Sequence, residues 1–177
     1  MEIISVDGIR VSIGSHENKT IIIGADHRGF IHKTKIIEAL KLKGHKLIDV
    51  GTFSPERCDY PIISDKIGKL VEEDLGFTKI GIGICGSGIG ILTPASKHQG
   101  VYPAKCLTTQ EAETSRKHNN TNVLGIGADY VSLESALAII ETWLKTPFYS
   151  NPTNEKPYLD RFVQTVKLEN QTINHIK

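Results

Sequence analysis

The residues best suited to chemistry lie in one glycine-rich segment, Ile80-Gly-Ile-Gly-Ile-Cys85-Gly-Ser-Gly-Ile-Gly90. Its apolar half predicts a buried strand, and the glycines after Cys85 predict a turn that leads into a helix. Open α/β sheets bind ligands at the carboxyl ends of their strands. The N–H groups of such a turn, with the positive end of a following helix, can hold an anion and favour a thiolate. A tight turn around an inert, buried cysteine is the alternative interpretation.

The same segment matches the dinucleotide-binding pattern G-x-G-x-x-G by its letters alone. Gly81 and Gly83 fall inside the predicted strand rather than in the turn after it, and no acidic residue follows at the distance of about 20 positions that the pattern requires. No Lys-Ser or Lys-Thr pair follows the glycines, as a P-loop would need. The segment therefore argues against a nucleotide cofactor.

Four other polar residues are candidates for the same site. Asp26 and His27 follow the first predicted buried strand, and Tyr60 follows the second. His118 ends a predicted helix, where it could act as a general acid–base or merely cap the helix carbonyls. We expect all four at the same edge of the sheet as Cys85. The other histidines are expected on the surface: His16, His32, His45, His98 and His175.

Apolar runs that alternate with amphipathic segments predict the fold. Strands are predicted over 20–24, 46–50, 79–84, 101–107 and 122–127, and helices over 29–43, 61–73, 89–97, 109–117 and 132–145. This alternation predicts an α/β fold, a doubly wound, mostly parallel five-stranded sheet with helices on both faces, Rossmann-like in architecture.

The two ends of the chain differ from this regular middle. Residues 3–6 and 9–13 flank Asp7-Gly8 and predict a β-hairpin, followed by a polar linker over 14–19. Residues 1–19 are thus expected to be an N-terminal extension of the sheet or of a dimer contact, and 20–177 a single α/β domain. A loop is predicted over 151–156 and a final helix over 158–168, packed on a partner subunit or on its own domain.

Composition narrows the class of protein. The formal net charge is +1 and no long basic run occurs, so nucleic acid is not an expected partner. No apolar stretch reaches the roughly 18 residues of a membrane span, and the N-terminus lacks the layout of a signal peptide. Three cysteines without disulfide spacing favour a reduced, cytoplasmic setting, and no Cys/His/Asp cluster has the spacing of a metal site.

Several separate motifs together resemble those of the ribose-5-phosphate isomerase B family, which includes relatives of galactose-6-phosphate isomerase. They occur in that family's order and span about 20–162: Gly24-Ala-Asp-His27, Asp59-Tyr-Pro61, Ile84-Cys-Gly-Ser-Gly-Ile-Gly90, Ala95-Ser-Lys97 and Ser115-Arg-Lys-His-Asn-Asn-Thr-Asn-Val-Leu124. The resemblance implies an aldose–ketose isomerase that interconverts ribose 5-phosphate and ribulose 5-phosphate through a cis-enediolate, without metal or organic cofactor. It also implies a homodimer with shared active sites, with tetramers as a further option.

The resemblance also implies a role for each matched residue. Cys85 would be the base, because the position used by a glutamate in another branch of the family is Ile91 here. Ser87 would assist proton movement between the substrate oxygens, and His118, supported by Asp26, would open the sugar ring. The turn would stabilise the enediolate through Gly86, Gly88 and Gly90. The substrate would be held by His27, Tyr60, Asn119 and Arg161.

Two positions depart from the family pattern. Asp129 stands where relatives usually have an arginine, and Pro157 replaces the first of two phosphate-binding arginines, of which Arg161 is the second. Cations that could compensate are Arg57, Arg116, Lys117 and Lys156. Two alternatives therefore stay open: an isomerase of another sugar phosphate, such as a hexose or tetrose phosphate, and a non-catalytic sugar-phosphate-binding paralogue.

Overall fold

The computed structural model describes residues 2–149 and 151–176, with side chains as far as residue 173. The strands are β1 (Glu2–Val6), β2 (Ile9–Ile13), β3 (Thr20–Ala25), β4 (Leu47–Asp49), β5 (Lys79–Cys85), β6 (Pro103–Lys105) and β7 (Val123–Gly127). The helices are α1 (Phe30–Leu42), α2 (Tyr60–Glu72), α3 (Leu92–Ala95), α4 (Thr109–Asn119), α5 (Leu133–Lys145) and α6 (Pro152–Ile176). No helix within the described residues is both long enough and apolar enough to cross a membrane.

Five parallel strands form the central sheet, in the order β4-β3-β5-β7-β6. This confirms the predicted α/β fold. The register aligns Ala25 with Ile84 and Cys85 with Gly127, so the three central strands end at one common edge. The loops that follow β3, β5 and β7 therefore meet there, as the doubly wound topology requires.

Successive side chains of the central strands point to opposite faces and build two cores. Ile21 and Ile23 pack with residues of α1, α4 and α5 on one face. Ile22 packs with α2 and α3 on the other face, and Cys85 belongs to this second cluster. Both faces of the sheet are covered, which explains the uninterrupted apolar runs of its strands.

The N-terminal hairpin forms a separate two-stranded sheet. It does not extend the central sheet, so that part of the expectation is wrong. Val11 and Ile13 instead pack with Phe148 and with α6 in a third apolar cluster. The segment 14–19 is predicted to be a polar linker, but His16 and Lys19 are buried. The expectation that His16 lies on the surface is therefore wrong.

The last helix begins earlier than predicted. The loop expected over 151–156 is helical from Pro152, where the Asn151 N–H donates to the Glu155 carboxylate at 2.8 Å. Pro157 lies inside this helix and removes one backbone donor. The helix nevertheless continues, since Leu159 and Phe162 bury their side chains against the hairpin of the same chain. His175 lies outside the residues with described side chains.

Candidate active site

β5 delivers the Cys85 thiol to the carboxyl edge of the sheet, where the residue is 4% exposed. The Gly88 N–H donates to Cys85 Sγ at 3.1 Å, and Ser87 Oγ lies 4.0 Å from the sulfur. Gly88 has φ +75°, and a Cβ there would lie 2.8 Å from the Gly127 nitrogen. Only glycine can therefore place this N–H beside the sulfur.

The turn after Cys85 keeps backbone donors unused. The N–H groups of Gly86, Ser87 and Gly90 donate to no acceptor within the described part of the chain. The Ile89 N–H donates to Ser87 Oγ at 3.2 Å, which orients that hydroxyl. The helix predicted over 89–97 is only the four residues of α3, so the turn's own N–H groups, rather than a helix dipole, provide the positive potential for an oxyanion.

Asp26 and His27 shape the loop after β3, beside this turn. Asp26 is buried and its Oδ1 accepts from the N–H groups of Arg28 at 2.9 Å and Gly29 at 3.0 Å. His27 Nδ1 lies 3.1 Å from the carbonyl oxygen of Cys58, on the loop after β4. Asp26 thus fixes the turn between β3 and α1, and His27 joins that turn to the loop after β4.

Tyr60 begins α2 and covers the far side of the glycine turn. A Cβ built on Gly90 would lie 3.1–3.3 Å from three atoms of the Tyr60 ring, so the ring lies directly over that backbone. The residue is 39% exposed, which leaves part of it in contact with solvent at the mouth of the site.

The sequence reasoning missed one cation at this edge. Arg28 Nη2 donates to Asp129 Oδ2 at 2.5 Å, and both side chains are about half exposed. A Cβ on Gly86 would lie 2.6 Å from Arg28 Nε and 2.7 Å from Asp129 Oδ2, so the pair covers the thiol turn. Asp129 raises the pKa of Arg28, and Asp26 and Cys85 add to this effect. The sequence did contain a signal for this pair. Arg28 and Asp129 carry opposite charges and follow β3 and β7, the two strands that flank β5.

His118 does not join Cys85 within one chain, and the expectation of a common edge is wrong. The Gly81 N–H donates to the Asn122 carbonyl at 2.9 Å, so the segment between His118 and β7 lies at the amino edge of the sheet. Four residues of β5 separate that level from Cys85, about 13 Å at roughly 3.3 Å per residue. The physical reason is that a helix joining two parallel strands must run back to the amino edge.

A separate cavity of about 530 Å³ surrounds His118. Its lining includes Asn119, Tyr158 and Arg161. The His118 ring stacks on the Tyr158 ring with 4.1 Å between centroids and 15° between planes. The Arg161 guanidinium lies 5.8 Å from the centroid of the Tyr158 ring. Three of the predicted site residues, His118, Asn119 and Arg161, are therefore together, on the opposite edge of the sheet from the thiol.

Most of the cations nominated to replace the missing arginines are engaged elsewhere. Arg116 is buried and donates to the carbonyl oxygens of Gly14 and Thr121. Lys117 pairs with Glu113, and Lys156 pairs with Asp160. Arg57 lies on an exposed loop. Within the described residues, no group of three or more histidine, cysteine, aspartate or glutamate side chains has the arrangement of a metal site.

Known proteins share this fold and much of this sequence. A sequence model of the ribose/galactose isomerase family matches residues 21–158. Ribose-5-phosphate isomerase B of Escherichia coli is 42% identical over 126 residues, which cover 71% of this chain and 83% of that protein.

Two solved structures of ribose-5-phosphate isomerase B have the same fold as this chain. Ribose-5-phosphate isomerase B of Clostridium thermocellum superposes with a TM-score of 0.78 at 36% identity, covering 86% of this chain and 99% of the other. The enzyme of Mycoplasma genitalium with bound ribulose-5-phosphate superposes with a TM-score of 0.80 at 28% identity, covering 88% and 99%. On this family match and these relatives, the chain belongs to the ribose/galactose isomerase family and is an isomerase.

Proposed function

We propose that this isomerase interconverts ribose 5-phosphate and ribulose 5-phosphate with Cys85 as the base. The observation that carries the proposal is the thiol beneath a turn with three unused N–H groups, at Gly86, Ser87 and Gly90. A thiolate can remove a carbon-bound proton next to a carbonyl only if the developing oxyanion is stabilised, and removing one such donor typically costs about 2.7–4 kcal/mol in the barrier. The turn supplies those donors without a metal ion.

The proton balance of the reaction uses two side chains of this turn. In the direction from aldose to ketose, Cys85 takes the proton from C2 and the C1 carbonyl oxygen becomes an enediolate oxygen. The Cys85 thiol, whose proton can exchange with solvent, then delivers a proton to C1. A second proton moves from the C2 hydroxyl to O1, and the Ser87 hydroxyl is the relay. Ser87 is suited to this role because its oxygen already accepts the Ile89 N–H, which leaves its own hydrogen free to donate.

We infer that the complete site contains residues of two subunits. Cys85 and Asp26 lie at the carboxyl edge, whereas the cavity with His118, Asn119 and Arg161 lies at the amino edge. In a homodimer that brings these edges together, His118 of the partner subunit would open the sugar ring over Cys85. Asp26 would support it through the loop that its carboxylate holds.

Arg28 is our candidate for the phosphate contact at the thiol edge. Its guanidinium has five N–H donors, of which Asp129 uses one. Asp129 restrains the side chain over Gly86, which reduces the entropy lost when an anion binds. His27 and Tyr60 would hold the sugar hydroxyls, and Arg161 of the partner subunit would complete the grip.

The direct test is turnover of ribose 5-phosphate by the purified protein in D2O. We expect ribulose 5-phosphate to form with deuterium incorporated at the carbon that receives the proton, because the thiol exchanges with solvent. Cys85→Ala should lose turnover, whereas Cys58→Ala, a control on the loop beside His27, should retain it. Equal activity in Cys85→Ala would exclude the assigned base.

A different sugar phosphate is the second candidate. Asp129 and Pro157 replace arginines that relatives usually have, which would change how the substrate phosphate is held. The Arg28–Asp129 pair offers both a donor and an acceptor to additional sugar hydroxyls. Turnover of a hexose phosphate but not of ribose 5-phosphate would favour it. Binding of sugar phosphates without turnover of any would favour a non-catalytic paralogue.

A further inference from the structure

A second cavity, partly open to solvent, lies beneath the N-terminal hairpin and away from the thiol. The cavity measures about 250 Å³ and lies between the hairpin, the loop before β5 and α6. Ser12, His16 and Lys19 line it from residues that precede the family match at 21–158. The cavity therefore lies where residues before the family match meet loops of the matched domain, such as those of Gly76 and Gly100.

Lys19 brings a buried positive charge to this cavity. The residue is 7% exposed, and Nζ donates to Ser12 Oγ at 3.1 Å and to the Gly76 carbonyl at 2.9 Å. An ammonium has three N–H donors, so one remains. No carboxylate of the described residues forms an ion pair with it, and burial together with the charge of Arg116 lowers the pKa of Lys19 to about 7.

Arg116 adds a second buried cation next to the cavity. It is 1% exposed, and all of its partners are uncharged oxygens, on Gly14, Asn120, Thr121 and Thr146. Buried charges are normally paired, because an uncompensated one is costly. Glu169 also lines the cavity, but its carboxylate oxygens accept from the Gly100 N–H at 2.9 Å and the Tyr102 hydroxyl at 2.8 Å. The cations Arg10, Lys19 and Arg116 therefore outnumber Glu169 and Asp74, the carboxylate that acts on Lys19, which leaves this region suited to a negative ligand.

His16 contributes an acceptor whose hydrogen bond is missing. The residue is 1% exposed and lines the cavity, and its Nε2 bonds the Thr121 carbonyl at 3.0 Å. A carbonyl only accepts, so Nε2 carries the hydrogen and Nδ1 is an acceptor. Nδ1 is buried and has no partner within the described chain. Buried polar atoms are rarely left so, unless a ligand or water satisfies them.

We propose that this cavity binds a small phosphate anion, with Lys19 donating to a phosphate oxygen and a protonated phosphate oxygen donating to His16. Hydrogen phosphate carries both groups, whereas sulfate at neutral pH carries no hydrogen to donate. The cavity volume of about 250 Å³ is below the roughly 300 Å³ at which typical ligand pockets begin, so it suits inorganic phosphate. Asn120 and Asn122 line the cavity and follow His118 closely in the chain, so the ligand would contact the segment between His118 and β7.

The only tryptophan of the chain reports on this cavity. Trp143 is buried, its ring centroid lies 4.8 Å from that of His16, and its Nε1 donates to Thr121 Oγ1 at 3.0 Å. We expect inorganic phosphate to change its fluorescence saturably in the full-length protein. Lys19→Met should weaken the phosphate affinity at least about tenfold, the equivalent of one charge-assisted hydrogen bond. Lys43→Met, which removes an exposed lysine paired with Glu141, is the matched control and should bind like the wild type.

Two further variants keep the test decisive. Val166→Phe fills the cavity from α6 without touching Lys19 and should also abolish the signal. Arg28→Ala should retain it, because Arg28 lies at the other edge of the sheet. Absence of a saturable fluorescence change in the wild type would overturn the proposal. So would a phosphate affinity of Lys19→Met equal to that of the wild type. Equal affinity for sulfate would overturn the role given to His16.

Discussion

Mixed dimers provide the sharpest test of how this isomerase assembles its site. The Cys85→Ala variant lacks the proposed base, and the His118→Ala variant lacks the proposed ring-opening residue. In one chain these residues lie at opposite edges of the sheet, about 13 Å apart along the strand direction alone at 3.3 Å per residue. We therefore expect each variant to be inactive alone and a heterodimer of the two to regain activity.

The size of the recovery follows from counting sites. A heterodimer of the two variants contains one site with both functional residues and one site with neither, so it should show about half of the wild-type activity. Random mixing of equal amounts makes about half of all dimers heterodimers, so the unfractionated mixture should reach about a quarter. Each homodimer should lose about 10²–10⁴-fold, the usual contribution of a general acid–base.

The assay uses two affinity tags to purify the heterodimer, followed by ribulose 5-phosphate formation from ribose 5-phosphate. The control pairs the double variant Cys85→Ala/His118→Ala with wild-type subunits. If two chains build each site, this control is inactive, because neither site is complete. If each chain builds its own site, the control keeps half of the activity and the single-variant heterodimer is dead. That reversed pattern would refute the shared-site reasoning.

Three further predictions test individual contacts. Gly88→Ala should abolish turnover and lower the free energy of unfolding by more than Gly8→Ala does, as measured by kcat and urea unfolding. Both glycines have φ near +75°, but only at Gly88 would a Cβ meet backbone atoms within 3 Å. Gly8→Ala should therefore lower the free energy of unfolding by only about 1–2 kcal/mol. Arg28→Ala should raise KM for ribose 5-phosphate about tenfold or more with a smaller change in kcat, and an unchanged KM would exclude Arg28 as the phosphate contact. The pKa of Lys19, lowered from 10.5 to about 7, means that the unfolded chain binds the extra proton between these values, so the free energy of unfolding should rise from pH 7 towards pH 10 by up to about 1.4 kcal/mol per pH unit. Urea titrations in phosphate-free buffer should show this slope, and it should flatten in Lys19→Met; an equal slope in the variant would contradict the assignment.

The sequence was sufficient for the sheet, because strand–helix alternation leaves few topologies open. The position of Cys85 followed from the same pattern, since residues that end an apolar run lie at the carboxyl edge. The order of elements also bears on His118, which was wrongly expected at the same edge of the sheet as Cys85. A residue at the end of a crossover helix must lie at the amino edge, so the order of elements already excluded a common edge with Cys85 in one chain.

Other features depended on contacts that no local pattern encodes. Arg28 and Asp129 are 101 positions apart and meet only because β3 and β7 both flank β5. His16 and Lys19 lie in a segment of polar composition, yet both are buried by contacts with distant residues. His16 packs against Trp143 and Thr121, and Lys19 donates to Gly76. Periodicity within a segment reports how an element faces its own core, and it does not report contacts with residues so far away in the chain.

The arrangement of Cys85 and His118 explains why assembly belongs to the proposed mechanism. One edge of the sheet offers a thiol with unused N–H donors, and the other edge offers an imidazole stacked on Tyr158 beside Arg161. In the proposed mechanism the base for the carbon-bound proton and the group that opens the ring therefore lie at different edges. Since α4 joins two parallel strands, no change in its length brings His118 to the carboxyl edge of its own chain. In the proposed homodimer a second copy of the chain would supply the missing half, and the mixed-dimer experiment measures that dependence directly.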